Sequence, residues 1–472
     1  MTWQGKIFHL LDMDEPDAKI IIDKIGLLID NEFCTYLNRQ NKKYIVAESL
    51  EQVLQARQQN IPLILCADIA LPVFVTERTQ TLVFDAKRLP IDIESKTLSE
   101  LSRADIKALI DYQADESKLI SVTAHNREKL LQRAREHQKH RRHREILQNM
   151  QNRSPLETYI DILEIGSVWG CYVHACWQCG MAINPELEKE FDRQTELLVL
   201  NGGLQNAFYE SVMHFKTVDR ISAYIKNQNP AKFALICFDG MGMAEWQVLR
   251  ESLGLDIDAK PVFALIPTIT AISRAAIFYG NADEVYSLTN INENKAFQTV
   301  FSERSCAFFR ESELIHSDQL LGIDAVKVVY NVFDDLAHHT LLLQNQANKN
   351  TCFDNACQYL AHSAIKKELK MMRENGFYLY LCSDHGSTVA RGNGQIIDNY
   401  LIDTYCKRGT LVRKSQLLEK YDAHRYDIPF IKDKIVLLAK NRTSFNHKHK
   451  LELTHGGITM DELVVPFVEI AP

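Results

Sequence analysis

The stretch FYLYLCSDHG, residues 377–386, is a run of apolar residues that ends on an acid, an imidazole and a glycine. The apolar run predicts a buried strand, and Ser-Asp-His-Gly follows where that strand ends. Asp384 and His385 alone would also fit an ordinary surface turn. The pair indicates a functional site only if other strand ends in the chain supply partners for it.

Four more segments place polar residues at or just after an apolar run. These segments are FALICFDGMG (233–242) with Asp239, PVFALIPTIT (261–270) with Thr270, AVKVVYNVFDDLAHHT (325–340) with Asp334 and His338, and LTHGGITMDELVVPF (453–467) with His455. In an open parallel sheet, the carboxyl ends of the strands share one edge, and ligands bind in the crevice there. We therefore expect these side chains to converge on the Asp384–His385 pair.

The combined set holds three aspartates, three histidines and one threonine. Such oxygen and nitrogen ligands divide into two divalent metal sites and suit zinc, with manganese as the alternative. A metal beside Thr270 would lower the pKa of its hydroxyl and make it a nucleophile. The helix that starts there would offer backbone N–H groups to an anion. The set predicts phosphoryl transfer.

The order of these motifs resembles the alkaline phosphatase superfamily. PTITAISR followed by a glycine, and THGGITMDELVVPF, look like the nucleophile and C-terminal motifs of the PglZ proteins of that superfamily. The resemblance covers residues from about 225 to 472. It implies an α/β domain built on an alkaline-phosphatase-like parallel sheet.

The resemblance also implies a role for each residue. One metal would lie among Asp239, Thr270, Asp384 and His385, and the other among Asp334, His338 and His455. Thr270, the second threonine of P-T-x-T, would attack phosphorus, and water would hydrolyse the resulting phosphothreonine. Thr268 would cap or pack.

Two positions leave alternatives open. Ser273 stands where the phosphodiesterase branch of the superfamily often has Asn, and Arg274 follows it. We predict both as substrate-binding residues, although Arg274 could form a structural ion pair instead of bonding phosphate. Asp335 and His339 offer a second register for the second metal site, but the first register keeps the family's spacing from the strand.

Three segments are predicted along the chain. Residues 1–95 alternate β-rich runs with a helical pattern and predict a small α/β domain. Residues 96–225 predict helices, with starts at Ser154-Pro155-Leu156-Glu157 and at Asn184-Pro185-Glu186. Residues 226–472 form the catalytic segment.

The helical middle contains GCYVHACWQCG, residues 170–180. Cys171, His174, Cys176 and Cys179 allow a structural metal, but they lack a second well-formed ligand pair. Packing inside a helix is the other reading, and the sequence does not assign these four residues a role.

Residues 127–150 of the same segment carry eight Lys and Arg residues against three Glu. This pattern fits either a solvated helix face or a contact for phosphates or an acidic partner. In the second case the contacting residues would be Arg135, Lys139, Arg141, Arg142 and Arg144.

The composition restricts the functional class. With 472 residues and a net charge of −7, the chain is not a polycation that coats nucleic acid. No signal peptide and no apolar run of about 20 residues is present, which predicts a cytoplasmic protein without a membrane contact. The eleven scattered cysteines fit reduced thiols.

The resemblance implies a function as well. PglZ proteins are associated with bacterial phage-defence systems such as BREX, and relatives act as phosphodiesterases on nucleic acids or nucleotides. We expect a metal-dependent phosphodiesterase or nuclease that works with other defence proteins. The alternatives are a phosphomonoesterase and a metal-binding scaffold component with little hydrolytic activity.

Overall fold

A computed structural model of the chain describes residues 2–15, 17–77, 79–114, 120–287, 291–311, 313–340, 349–429 and 431–472. The chain divides into two units, Met1–Arg142 and His143–Pro472. The three-segment division stays a prediction. No helix in the described ranges is both long and apolar enough to cross a bilayer.

The first unit is an α/β layer around a four-stranded sheet. Its elements are α1 (Trp3–Leu10), β1 (Lys19–Asp23), α2 (Asn31–Arg39), β2 (Tyr44–Ala47), α3 (Leu50–Gln58), β3 (Leu63–Cys66), α4 (Val73–Thr76), β4 (Gln80–Phe84), α5 (Ser95–Leu98) and α6 (Arg103–Ala114). The strand order is β2-β3-β1-β4, with all pairs parallel. Alternate residues of β1 enter different hydrophobic clusters, Ile21 on one face and Ile20 and Ile22 on the other, so both faces of the sheet are covered.

The helix α7 (Arg127–Gln151) crosses the division between the units. The second unit continues with α8 (Tyr159–Gln178), α9 (Pro185–Leu200), α10 (Ile221–Gln228), β5 (Phe233–Phe238), α11 (Met243–Leu253), β6 (Lys260–Phe263), α12 (Thr270–Tyr279), α13 (Ala282–Ser287), α14 (Glu293–Val300), β7 (Cys306–Arg310), β8 (Ala325–Tyr330), α15 (Val332–His339), α16 (Asn350–His362), α17 (Ile365–Glu374), β9 (Tyr378–Cys382), β10 (Thr388–Gly392), β11 (Ile402–Thr404), β12 (Gly409–Arg413), β13 (His424–Tyr426), β14 (Lys434–Leu438), β15 (Thr443–Ser444), β16 (Leu451–Thr454), α18 (Met460–Leu463) and β17 (Val464–Ile470). Short 3₁₀ helices lie at Ala86–Arg88, Gln205–Tyr209, Val212–His214, Val218–Arg220, Ser317–Leu320, Asn399–Leu401 and Gln416–Lys420.

A six-stranded sheet in the order β6-β17-β9-β5-β8-β7 forms the centre of the second unit. The pairs β5–β8, β5–β9 and β7–β8 are parallel, whereas β17 runs antiparallel to both β6 and β9. The predicted α/β class with a parallel-rich sheet is confirmed. The last strand, β17, is the antiparallel member of this sheet, because it enters from the edge where β6 and β9 end.

The central strand shows why apolar runs without alternation mark this sheet. In β5 the side chains of Phe233, Leu235 and Cys237 join one hydrophobic cluster, and those of Ala234, Ile236 and Phe238 join the other. Helices cover both faces, which explains why every position of this strand is apolar.

Two smaller sheets complete the second unit, in the orders β15-β10-β16 and β11-β12-β14-β13. The sequence did not predict them. Their strands are only two to five residues long, which is too short for a clear periodic pattern.

One predicted helix start was wrong and one was right. The helix α8 begins at Tyr159 instead of near Ser154, because Thr158 and Asp161 form the capping box. The helix α9 begins at Pro185, and Asn184 caps it by accepting hydrogen bonds from two backbone N–H groups.

Candidate active site

The first group of site residues lies at the ends of two neighbouring parallel strands. Asp239 directly follows β5, and Asp384 and His385 follow β9 after Ser383. The Nε2 atom of His385 lies 3.5 Å from Asp239 Oδ1 and 3.7 Å from Asp384 Oδ2. The backbone N–H of Gly240 donates to Asp384 Oδ1 at 3.2 Å and fixes that carboxylate. One ligand-type atom from each of the three residues therefore lies within 4.8 Å of the others.

Thr270 stands beside this group as the first residue of α12. Its Oγ1 lies 2.9 Å from His385 Nε2 and donates to Asp239 Oδ1 at 3.3 Å. The residue is half-buried, in contrast to the buried acids around it. The structure thus brings the predicted nucleophile to the predicted ligands.

The second group consists of Asp334, His338 and His455. Asp334 lies in the first turn of α15, His338 lies one turn later, and His455 follows β16. The Nε2 atom of His338 lies 3.3 Å from one carboxylate oxygen of Asp334, and that of His455 lies 3.8 Å from the other. The rings of His455 and His385 stack with their centroids 4.0 Å apart, so the two groups are direct neighbours.

Backbone carbonyls orient two of the three histidines. The Nδ1 atom of His385 lies 3.1 Å from the Gly386 carbonyl oxygen, and that of His455 lies 3.0 Å from the Thr268 carbonyl oxygen. Since a carbonyl can only accept, Nδ1 carries the proton in each ring. Both Nε2 atoms therefore face the carboxylates, as in metal-ligating histidines.

Burial dominates the electrostatics of the first group. Burial, followed by the charge of Asp384, raises the pKa of Asp239 to about 8. Burial also raises the pKa of Asp384. Burial and the neighbouring His455 lower the pKa of His385 to about 4. In each of these three side chains, burial favours the neutral form over the charged one.

Charge pairing dominates the second group. Burial opposes ionisation of Asp334, but its hydrogen bond with His338 and the nearby imidazoles bring its pKa down to about 2. The hydrogen bond with Asp334 raises the pKa of His338. Burial would lower the pKa of His455, yet the Cys406 thiol and Asp334 raise it to about 10.

The residues present fit two divalent metal ions. The first group offers two carboxylates and one imidazole, and the second offers one carboxylate and two imidazoles. Zinc and manganese both accept such oxygen and nitrogen sets. In the described ranges Asp384 Oδ2 is buried and accepts no hydrogen bond, a costly arrangement that a cation would relieve.

The two predicted substrate-binding residues differ in their surroundings. Arg274 forms an ion pair with Asp239 Oδ2 and a second one, at 2.8 Å, with Glu293 Oε1. Arg274 therefore lies at the candidate site, and of its two predicted roles the structure shows the ion pair. Ser273 is fully buried, and its Oγ accepts from the Leu265 backbone N–H at 3.0 Å. The structure does not bring Ser273 to the site, because its hydroxyl ties α12 to the loop before it.

Other candidates stay outside the site. Asp335 and His339 are exposed, and the His339 ring contacts the Asp335 backbone oxygen, so the structure does not bring this alternative pair to the site. Within the described ranges, only the two groups above hold three or more ligand-type side chains. The four cysteine and histidine residues of 170–180 form no such group, and three of them lie along α8.

Sequence reasoning missed the charged residues that support Arg274. Glu293 accepts from Arg274 and also pairs with Lys327 at 3.1 Å. Lys327 is a buried cation in the middle of β8. A lysine inside the apolar run AVKVVY was the available signal, because a buried charge needs a partner.

Sequence reasoning also missed the ion pair between Arg408 and Glu462, which holds the loop after His455. The Glu462 carboxylate accepts from Arg408 Nε and from the Gly457 N–H, both at 2.8 Å. Its backbone carbonyl accepts from the Gly386 N–H at 3.0 Å. Glu462 therefore links the loop after His455 with the loop after His385.

Comparison with known proteins gives the class of this domain. The sequence profile described as the BREX system PglZ alkaline phosphatase-like domain matches residues 218–470. Residues 218–470 of the second unit therefore form an alkaline phosphatase-like domain. Because the match covers more than half of the chain, the chain belongs to the PglZ family.

Solved structures give weaker likenesses. The human ectonucleotide pyrophosphatase/phosphodiesterase 5 has a TM-score of 0.33 and 14% identity, over 51% of this chain and 88% of that chain. Its murine counterpart has a TM-score of 0.33 and 12% identity over the same shares. An inactive murine form in complex with AMP has a TM-score of 0.32 and 12% identity, over 50% of this chain and 87% of that chain. Scores this low carry no argument about activity. A comparison with curated protein sequences finds no match.

Proposed function

We propose that this chain is a metal-dependent phosphodiesterase of the nuclease type with Thr270 as its nucleophile. The observation that carries the proposal is the position of the Thr270 hydroxyl. It lies 2.9 Å from His385 Nε2 in one ligand-type group, and the His385 ring stacks on His455 of the other group. Membership of an alkaline phosphatase-like family supports a phosphoester hydrolase.

The residues of the chain divide the work as follows. Thr270 Oγ1 forms a bond to phosphorus as the bond to the leaving oxygen breaks. The hydroxyl proton of Thr270 is transferred to that oxygen, which departs as an alcohol. The product is a phosphothreonine that still carries the second ester. Water then attacks phosphorus, the bond to Thr270 breaks, and the monoester leaves.

Two divalent ions, when bound, would stabilise the charge of the attacking and leaving oxygens. Asp239, Asp384 and His385 would hold one ion, and the residues of the second group would hold the other. Arg274 pairs with Asp239, which also accepts from Thr270, and the planar fork of Arg274 could bond a phosphate oxygen. The ion pair with Glu293 would then position its guanidinium.

Two other functions use the same residues. A phosphomonoesterase needs the same nucleophile but no surface for a second ester group. A scaffold component of a defence complex would hold metal and hydrolyse little. The PglZ family assignment favours work beside other proteins of a BREX-type system, and we propose such partners for this chain.

The test combines metal analysis with hydrolysis of small chromogenic monoesters and diesters. We expect about two zinc or manganese ions per chain and faster hydrolysis of the diester. Thr270→Ala should keep the fold and most of the metal, and it should lose at least about a thousandfold in rate.

Thr268→Ala is the matched control. The Thr268 hydroxyl bonds Gly456 and Gly457 in the loop after His455, so its loss should be the milder one. If Thr268→Ala lost more hydrolytic activity than Thr270→Ala, the assignment of Thr270 as the nucleophile would be wrong. A chain that binds metal but leaves every ester intact would support the scaffold reading.

A further inference from the structure

The loop between β15 and β16 carries a row of basic side chains. His447, Lys448, His449 and Lys450 are all exposed. Arg391 of β10 is exposed as well, and it pairs across the sheet with Leu451, the residue next to Lys450. We call these five basic residues the basic platform.

Backbone hydrogen bonds fix the platform against the turn that follows β10. The His449 N–H donates to the Gly392 carbonyl at 2.8 Å, and the Gly392 N–H donates to the Lys450 carbonyl at 2.7 Å. A Cβ at Gly392 would lie 1.9 Å from the His447 carbonyl oxygen, so only glycine allows this approach. The loop is thus held by its backbone, which leaves its side chains available for a ligand.

The platform has no acid of its own to neutralise it. In the described part of the chain, none of its five side chains takes part in an ion pair. The acid that adjoins the loop, Glu452 of β16, already has a cationic partner, because it pairs with Lys407 at 2.7 Å. The result is a local excess of positive charge on a chain whose net charge is −7.

Two structural paths connect the platform to the candidate active site. The strand β16 runs from Lys450 to His455, which is five residues or about 17 Å in an extended strand. The second path is Tyr405. Its ring is 47% exposed, and its hydroxyl donates to the Phe445 carbonyl at 3.3 Å. The next residue, Cys406, donates from Sγ to the His455 carbonyl at 2.9 Å.

We propose that the basic platform and Tyr405 bind the part of a single-stranded nucleic acid that extends beyond the phosphate at Thr270. This inference rests on the proposed function and names its substrate class. Exposed cations neutralise backbone phosphates and release counterions. A half-exposed aromatic ring supplies a stacking surface for a base, which sequence-independent binders of single strands use. Tyr405 is joined to Phe445, two residues before the platform, and its neighbour Cys406 is joined to His455, so the path of one strand from Thr270 to the cations would pass this residue.

The test measures binding of a fluorescent single-stranded oligonucleotide of about twelve nucleotides at several salt concentrations. Lys448→Glu combined with Lys450→Glu should weaken binding at least about tenfold. It should also reduce the slope of the logarithm of the binding constant against the logarithm of the salt concentration by about 1.4, because two phosphate contacts are lost. The matched control is Lys366→Glu with Lys367→Glu on α17, which makes the same change of charge at exposed positions. The control should bind like the wild type.

Tyr405 separates nucleic acid from other polyanions. Tyr405→Ala should weaken oligonucleotide binding about tenfold without changing the salt slope, and Tyr405→Phe should restore it. Heparin, which has no bases, should be insensitive to Tyr405→Ala. If heparin and the oligonucleotide respond alike to every variant, the platform binds polyanions without recognising nucleic acid, and the proposal is wrong.

Hydrolysis of a small chromogenic diester should be unchanged in all these variants. Oligonucleotide binding that the lysine variant leaves intact would overturn the proposal. An equal loss in the control pair would do so too, and so would a parallel loss of small-diester hydrolysis. If the wild type hydrolyses no ester at all, the proposed function fails, whereas the binding measurements still decide the role of the platform.

Discussion

At the scale of single residues, the candidate site is a set of groups whose protonation depends on one another. Asp239 and Asp384 place two buried carboxylates close together. The His455 imidazole lies next to Asp334, Cys406 and the imidazole of His385. Burial raises the pKa of the first carboxyl to about 8, and Cys406 and Asp334 raise that of His455 to about 10 against the effect of burial. Both groups hold protons near pH 7 that a metal must displace.

Metal binding should therefore release protons. We expect zinc titrations at pH 7, in buffers of different ionisation enthalpy, to show net proton release, because ligands bind metal in their deprotonated forms. The apparent affinity should fall as the pH drops below about 10, the pKa of His455, and more steeply below about 8, the pKa of Asp239. His339→Ala should leave the release unchanged, because His339 lies outside both groups. Heats that do not depend on the buffer would contradict the assignment.

Asp384→Asn tests the residue with the unpaired buried oxygen. The amide keeps the shape of the side chain but removes a charged ligand, so bound metal should fall by about one ion per chain. Elemental analysis after dialysis measures this. Asp335→Asn is the matched control, because Asp335 is exposed and follows Asp334 in the chain without belonging to the second group. Unchanged metal content in Asp384→Asn would remove the residue from the ligand set.

At the scale of elements, the structure changes what the basic helix can do. In α7, Arg135 pairs with Asp105 at 2.6 Å, and Arg141 pairs with Asp111 at 2.9 Å. These two arginines, expected to contact a polyanion, are engaged within the first unit. Lys139, Arg142 and Arg144 are exposed and retain that prediction. The sequence showed eight cations, but only packing shows which ones have acidic partners.

Changing Lys139, Arg142 and Arg144 to Glu should weaken oligonucleotide binding and flatten its dependence on salt. Hydrolysis of a small diester should stay near the wild-type rate, since Thr270 is untouched. Arg135→Ala is the comparison, and it should affect stability by at most about 1 kcal/mol, because its ion pair is exposed. If binding and hydrolysis are lost together, the helix has a structural role. If neither changes, its basic residues form a solvated face.

At the scale of the whole molecule, strand ends were predictable from the sequence, and supporting contacts were not. Apolar runs that stop on Asp239 and on Asp384 mark buried strands, and parallel pairing then places both ends at one edge. His455 reaches the same place by another route, because β16 belongs to the small three-stranded sheet. From its apolar run, His455 was expected at the end of a strand of the parallel sheet, whereas the structure brings it beside Asp334 from a different sheet.

The contacts behind the ligands come from residues that no local pattern distinguishes. Glu462 lies in a short helical turn, and its role depends on Arg408, 54 positions away. Gly386 shows the same limit: a Cβ there would lie 1.9 Å from the Asp461 carbonyl oxygen. The glycine in Ser-Asp-His-Gly predicts a turn, but the close approach of α18 that requires it follows only from the folded chain.

Removal of metal should destabilise the second unit more than the first. The two ligand-type groups draw on loops that follow β5, β8, β9 and β16, so metals bound there would join distant parts of one unit. A ligand at a hundred times its dissociation constant stabilises the folded state by about 2.7 kcal/mol. We expect a chelator to lower the unfolding temperature of residues 143–472 and to leave that of residues 1–142 nearly unchanged. Hydrogen exchange read separately for each unit measures this difference, and Asp384→Asn should show a smaller response to the chelator. Equal loss of protection in both units would show that chelation acts on the fold as a whole, and the metals would then not be confined to the two groups assigned here.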